Sequence, residues 1–160
     1  MKVLFMCTHN RCRSILSEAV FNHLAPAGFV AVSAGSHPSG EVSPLTMDAL
    51  KRAGITETGL SSKSSEVFAD SPPDIVITVC DRAAGETCPV YFGNALKAHW
   101  GLDDPSALEG TDQAIQQAFE NALAIIEYRV KAFLILPFDE LSADELKVAI
   151  TAIGRDQEAA

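Results

Sequence analysis

The stretch Asp74-Ile75-Val76-Ile77-Thr78-Val79, entered through Pro72-Pro73, narrows the choice of fold more than any other part of the chain. Four of its residues are β-branched aliphatics and neither alternating face is polar, so it does not read as a strand with one face in water. Near-continuous runs of this kind belong to parallel sheets buried on both faces. Parallel neighbours need long crossover connections, usually helical, and the rest of the chain supplies them. Residues 3–6 form a short apolar strand run, and 14–24 carry helical spacing through Ile15, Ala19, Val20 and Leu24. A second strand over 29–33 runs into Ala34-Gly35 and a Ser/Gly/Pro-rich loop, and a helix over 44–53 is closed by Gly54.

Residues 82–94 show no period and read as irregular structure, and 98–102 as a fourth strand. Over 111–136 the stripe Ile115, Phe119, Leu123, Ile126, Val130, Phe133 and Leu134 predicts a long helix stopped by Pro137. Ser142 and Glu145 have capping-box spacing for a last amphipathic helix over 141–153. Strands alternating with helices predict an α/β fold, a three-layer αβα arrangement around a four-stranded parallel sheet. Its domain should span 1–138, with 139–160 a C-terminal extension made of a surface helix and a tail.

Charge and composition restrict the partners. The 160 residues are 48% hydrophobic, enough for a core without disulfide staples, and 12 Lys plus Arg stand against 21 Asp plus Glu, a net charge of -9. With no basic cluster, the surface field opposes nucleic acid and anionic lipid. No apolar stretch reaches the ~20 residues that cross a bilayer, and the first residues lack a secretory pattern. The expectation is a cytoplasmic protein without nucleic-acid or membrane partners. In that compartment thiols stay reduced, so the four cysteines point to catalysis, redox chemistry or metal before structural disulfides.

Cys7-Thr8-His9-Asn10-Arg11-Cys12-Arg13-Ser14 lies between the first strand and the first helix. Ligands of open α/β sheets bind at the carboxyl ends of strands. A loop curling there into a helix start aims successive backbone N–H groups, and the helix dipole, at a tetrahedral oxyanion. Arg13 adds a two-pronged clamp on the same anion. That field should also favour the Cys7 thiolate. The alternative is that Cys7 is a buried thiol ending a strand, but the placement of Cys, Asn and Arg in one loop favours an anion-binding nucleophile.

With Ser33-Ala34-Gly35 and Asp104-Pro105, this loop resembles the low-molecular-weight protein tyrosine phosphatase superfamily over about residues 2–138. Thr78-Val79-Cys80, Cys88-Pro89 and His99-Trp100-Gly101-Leu102-Asp103-Asp104-Pro105 bring it nearer to the bacterial arsenate reductases of phosphatase-like type. A phosphatase needs only Cys7, Arg13 and a general acid at Asp104. Arsenate reduction takes two electrons, which a Cys7–arsenic adduct can receive only if a second thiolate attacks the Cys7 sulfur. The resemblance implies a relay in which Cys7 is the nucleophile, Cys80 attacks second and Cys88 carries the disulfide outward to thioredoxin or a glutathione/glutaredoxin system. Arsenate is then the substrate, with phosphate or sulfate as mimics and no tightly bound cofactor.

The Cys80–Cys88 spacing is one residue longer than in the thioredoxin-coupled members, which leaves the reductant open. Cys80 and Cys88 could also be packing thiols or half of a zinc site, but their spacing with Cys7 and Cys12 suits zinc poorly, and no metal is expected. Two rivals remain: a phosphatase acting on phosphate monoesters such as phosphotyrosine, and a phosphocysteine carrier without catalysis. Ser106, where phosphotyrosine phosphatases carry an aromatic side chain, counts against the first. Asn10, Glu18, Ser33 and Glu66 resemble a potassium site of some reductases, although an Asp usually fills the last position. Ser14 could cap the helix and donate to the Cys7 sulfur. His9 replaces a glycine frequent in such loops, His23, His37 and His99 form no metal cluster, and Trp100 reads as packing.

Overall fold

The structure, a computed structural model, describes residues 1–80 and 92–156. Its centre is a four-stranded, all-parallel sheet in the order β2-β1-β3-β4, formed by β1 (Lys2–Cys7), β2 (Val30–Gly35), β3 (Ile75–Thr78) and β4 (Leu96–His99). Leu4 lies opposite Val32 on one side and Val76 on the other, and Cys7 lies opposite Gly35. Val3 through Cys7 are all buried, as a central strand covered on both faces requires. The chain goes from β1 to β2 on one side and then returns to β3 on the other. Strand order therefore reverses at β1, which opens a crevice at the carboxyl ends of β1 and β3.

The fourth strand lies two residues earlier than the sequence pattern suggests. β3 stops at Thr78, so the ladder with β4 closes at the Thr78–His99 pair. Beyond it, Trp100 N–H donates to the Thr78 carbonyl at 2.8 Å and Leu102 N–H to the Val79 carbonyl at 3.1 Å, as a loop rather than a strand.

Four helices follow the expected periods: α1 (Arg13–Leu24), α2 (Pro44–Arg52), α3 (Asp112–Leu134) and α4 (Ala143–Arg155). Pro44 takes the first position of α2, where a missing N–H costs nothing, and Gly54 follows its end at φ +72°. Thr111 caps α3 by accepting from Ala114 N–H. The main core joins Phe5, Phe21, Trp100 and Phe133 in edge-on and tilted contacts, with Phe21 and Phe133 ring centres 5.6 Å apart. The other sheet face is buried by Leu4, Met6, Ala34, Val76 and Phe92, against which Phe68 of the 3-10 turn Ser65–Phe68 packs.

The C-terminal extension is an amphipathic helix whose apolar face lies on the main core. Its capping box forms as Ser142 and Glu145 predict; Leu146, Ile150 and Ile153 face the main core and Ile150 is fully buried. Trp100 Nε1 donates to the Ile150 carbonyl at 2.9 Å. Trp100 is thus a core residue that also fastens α4. Among the described residues no helix is long and apolar enough to cross a membrane.

Candidate active site

β1 delivers Cys7 to the crevice, and the chain then turns through residues 8–12 into α1. The loop is held from outside by its carbonyls: Thr8 O accepts from His37 N–H at 2.8 Å, His9 O from Ser39 N–H at 3.0 Å and Arg11 O from Ser43 N–H at 3.0 Å. In a trans peptide the next residue's N–H points opposite to the carbonyl, so the amides of His9, Asn10 and Cys12 are turned inward. Asn10 makes the bend at φ +46°, the left-handed region that Asn tolerates best after Gly. Its fully buried side chain donates to Ser14 Oγ at 2.8 Å and Ser33 Oγ at 3.0 Å and accepts from Lys63 N–H at 2.9 Å.

α1 begins at Arg13, one residue before the predicted start. Cys12 is its N-cap residue without a side-chain cap, and the first turn carries no acidic residue. Ser14 therefore sits inside the first turn instead of capping it. The uncapped N-terminus leaves donors and dipole available to an anion.

Arg13 and Asp104 face each other across the crevice. Arg13 Nη1 donates to the Leu102 carbonyl at 3.1 Å and Nη2 lies 3.8 Å from Asp104 Oδ2. Asp104 caps the 3-10 turn Pro105–Ala107, accepting from Ser106 N–H at 2.9 Å and Ser106 Oγ at 2.6 Å. Asp103 is exposed, so of the adjacent pair Asp104 is the one held at the loop. It serves as both turn former and carboxylate partner.

Cys7, Cys12 and Cys80 are buried thiols outside any disulfide. Cys80 Sγ lies 3.7 Å from Thr8 Oγ1, close enough to Cys7 to act on its proton. This corrects the expectation for Cys7. Its pKa is raised well above the ordinary thiol range, first by the Cys80 sulfur and next by burial, which together outweigh Arg13 and the Thr8 N–H. A thiol that shares a proton with a second sulfur gives that proton up late. Cys12 is pushed up to about 11, chiefly by burial, with Thr46 and Ser106 working against the rise. Cys88 lies outside the described residues.

Glu18, buried at the end of the Asn10–Ser33 network, has its Oε1 3.9 Å from Lys63 Nζ. Burial raises the Glu18 pKa, while Lys63 and Ser33 lower it. With this ammonium beside Glu18 and the Asn10 carbonyl oxygen already bonded to Lys63 N–H, the residues do not fit a potassium ion there. Among the described residues no group of three His, Cys, Asp or Glu could hold a metal. His9 is exposed at the loop's rim, its Nδ1 3.1 Å from the His37 carbonyl.

A family model described as low molecular weight phosphotyrosine protein phosphatase matches residues 2–147. The chain belongs to that family. An arsenate reductase of Halalkalibacterium halodurans is 33% identical over 131 residues, covering 82% of this chain and 93% of that protein. A solved arsenate reductase in the phosphate binding state superposes with a TM-score of 0.64 at 27% identity, covering 83% of this chain and 95% of that one. A thioredoxin-dependent arsenate reductase of Corynebacterium glutamicum has a TM-score of 0.58 at 31% identity, over 78% of this chain and 57% of its own.

Three residues of this family member's site escape sequence reading. Gly35 abuts the loop so closely that a Cβ would lie 2.6 Å from Thr8 O and 3.0 Å from Cys7 O; its place in Ser33-Ala34-Gly35 is the only signal. Lys63 gives none, because nothing local ties it to Glu18, 45 residues away. Arg129, on α3, reaches the Gly101 carbonyl at 2.9 Å and sits in a stripe that otherwise reads as core.

Proposed function

We propose that this chain reduces arsenate to arsenite with Cys7 as nucleophile, Cys80 as second thiol and Cys88 as carrier to an external dithiol. The observation that carries the reading is the place of the Cys80 thiol, whose Sγ lies 3.7 Å from Thr8 Oγ1 of the oxyanion loop, the residue next to Cys7. Ester hydrolysis has no use for a second sulfur there. The relatives named above, arsenate reductases from two bacteria among them, support it.

The inward amides of the loop (7–14), the N-terminus of α1 and Arg13 bind the oxyanion. Cys7 Sγ attacks arsenic, and one arsenate hydroxyl leaves as water, taking the Cys7 proton with Asp104 as its carrier. Cys80 then attacks Cys7 Sγ. A disulfide forms, the S–As bond breaks with its electron pair left on arsenic, and the Cys80 proton passes to an oxygen of the departing arsenite. Two thiols and one arsenate thus become one disulfide, arsenite and water. Cys88 displaces Cys7 from Cys80, and the Cys80–Cys88 disulfide is reduced by thioredoxin or by glutathione with glutaredoxin. No bound cofactor takes part.

A single turnover without reductant, followed by intact-mass and peptide analysis, tests this. The protein should lose the mass of two hydrogens, mapped to Cys80 and Cys88. Absence of arsenite with the reduced protein and either reductant system would overturn the reading.

A further inference from the structure

Arg129 is almost fully buried on α3, yet it is tied to a loop and a helix far from it in sequence. Nη1 donates to the Gly101 carbonyl at 2.9 Å and Nη2 to the Gly154 carbonyl at 3.2 Å. Gly101 precedes Leu102, whose carbonyl holds Arg13, and Asp104 follows two residues later. Gly154 belongs to α4, which lies so close to the end of β4 that a Cβ there would stand 2.3 Å from His99 O and 2.4 Å from Trp100 Cδ1. Arg13 and Arg129 line one groove of about 740 Å3 with residues 101–105. Burial works against the Arg129 charge and Asp156 works for it, while Nε has no hydrogen-bond partner among the described residues. A guanidinium held in such surroundings by two carbonyls fixes their spacing, because its fork is planar and rigid.

We propose that Arg129 is a positioning residue: by spanning the Gly101 and Gly154 carbonyls it transmits the docking of α4 to the segment that aims Arg13 and Asp104 at the oxyanion. This deepens the role proposed above for Arg13 and Asp104. It predicts that the C-terminal helix influences anion affinity.

The probe is inorganic phosphate, whose binding is read from its protection of Cys7 against iodoacetamide, with thermal melting as the control for folding. Arg129→Met and Gly154→Ala should each weaken phosphate about five- to tenfold, and Arg129→Lys, which can still reach one carbonyl, should fall between wild type and Arg129→Met. An unchanged phosphate constant in a cooperatively melting Arg129→Met or Gly154→Ala variant overturns the proposal.

Wild-type protein offers a second reading that needs no variant. The buried Arg129 Nε–H proton resonance should shift as phosphate fills the loop, and an unmoved resonance at saturation overturns the proposal. Neither measurement involves arsenate turnover. A chain that binds phosphate in this way but makes no arsenite would therefore refute the reductase and leave the positioning role standing.

Discussion

The 7–14 loop and α4 both act on residues 101–104, and they are built from opposite materials. The loop is polar backbone, hydroxyls and thiols, with its carbonyls turned out to 37–43 and its amides turned in. α4 is an apolar stripe docked on the aromatic core, and its carbonyls accept from Trp100 and Arg129. The difference separates two tasks. Chemistry needs groups that can ionise and exchange bonds, while alignment needs a surface that buries apolar area and does not move. Changes to the loop should therefore alter turnover more than stability, and changes at the start of α4 the reverse.

The sharpest break of that division is Cys80→Ser. Arsenite production should fall to background in a turnover assay while the melting temperature and phosphate affinity stay near wild type; retained turnover would sink the relay. The same variant has a pH signature. Because the Cys80 sulfur is the largest cause raising the Cys7 pKa, its loss should let the thiolate form at lower pH, and the midpoint of Cys7 alkylation should move down. A midpoint that does not move would mean that burial, and not Cys80, holds the proton on Cys7.

Next in size is Gly35→Ala. The added Cβ meets backbone oxygens of the loop, so the loop must yield. Overpacking of this kind costs about 1–3 kcal/mol, and phosphate affinity measured by titration should drop about tenfold, or ~1.4 kcal/mol. Equal affinity would show that the loop can shift without losing its anion geometry.

The smallest effect belongs to Ser142→Ala at the far end of α4. Loss of the cap should cost about 1 kcal/mol in a denaturant titration, with arsenate turnover within about twofold of wild type because Gly154 and Arg129 keep their contact. A large loss of turnover would erase the contrast between the two segments.

Much of this was legible along the chain. The run at 74–79 announced a buried parallel strand, and the order of polar loop and helix after residue 6 announced an anion site, because both follow from patterns within one or two turns of chain. Cys80 comes to the same sheet edge as Cys7 because β3, which ends two residues before it at Thr78, pairs with β1. The pattern of the extension gives an amphipathic surface helix but not what its apolar face meets, because Leu146, Ile150 and Ile153 suit any apolar contact. The Lys63 ammonium was missed because an exposed-looking lysine between serines carries no sign of a buried partner.

The sequence by itself determined the parallel sheet, the oxyanion loop and the residue types available for its chemistry, since strand burial, helix starts and turn residues are encoded by neighbours. Tertiary structure decided where the protons and charges rest. It set the Cys80 thiol beside the loop that starts at Cys7, the Lys63 ammonium against Glu18 and the Arg129 guanidinium between α4 and the loop after β4. These depend on burial and on contacts between residues tens of positions apart, which no local pattern can specify.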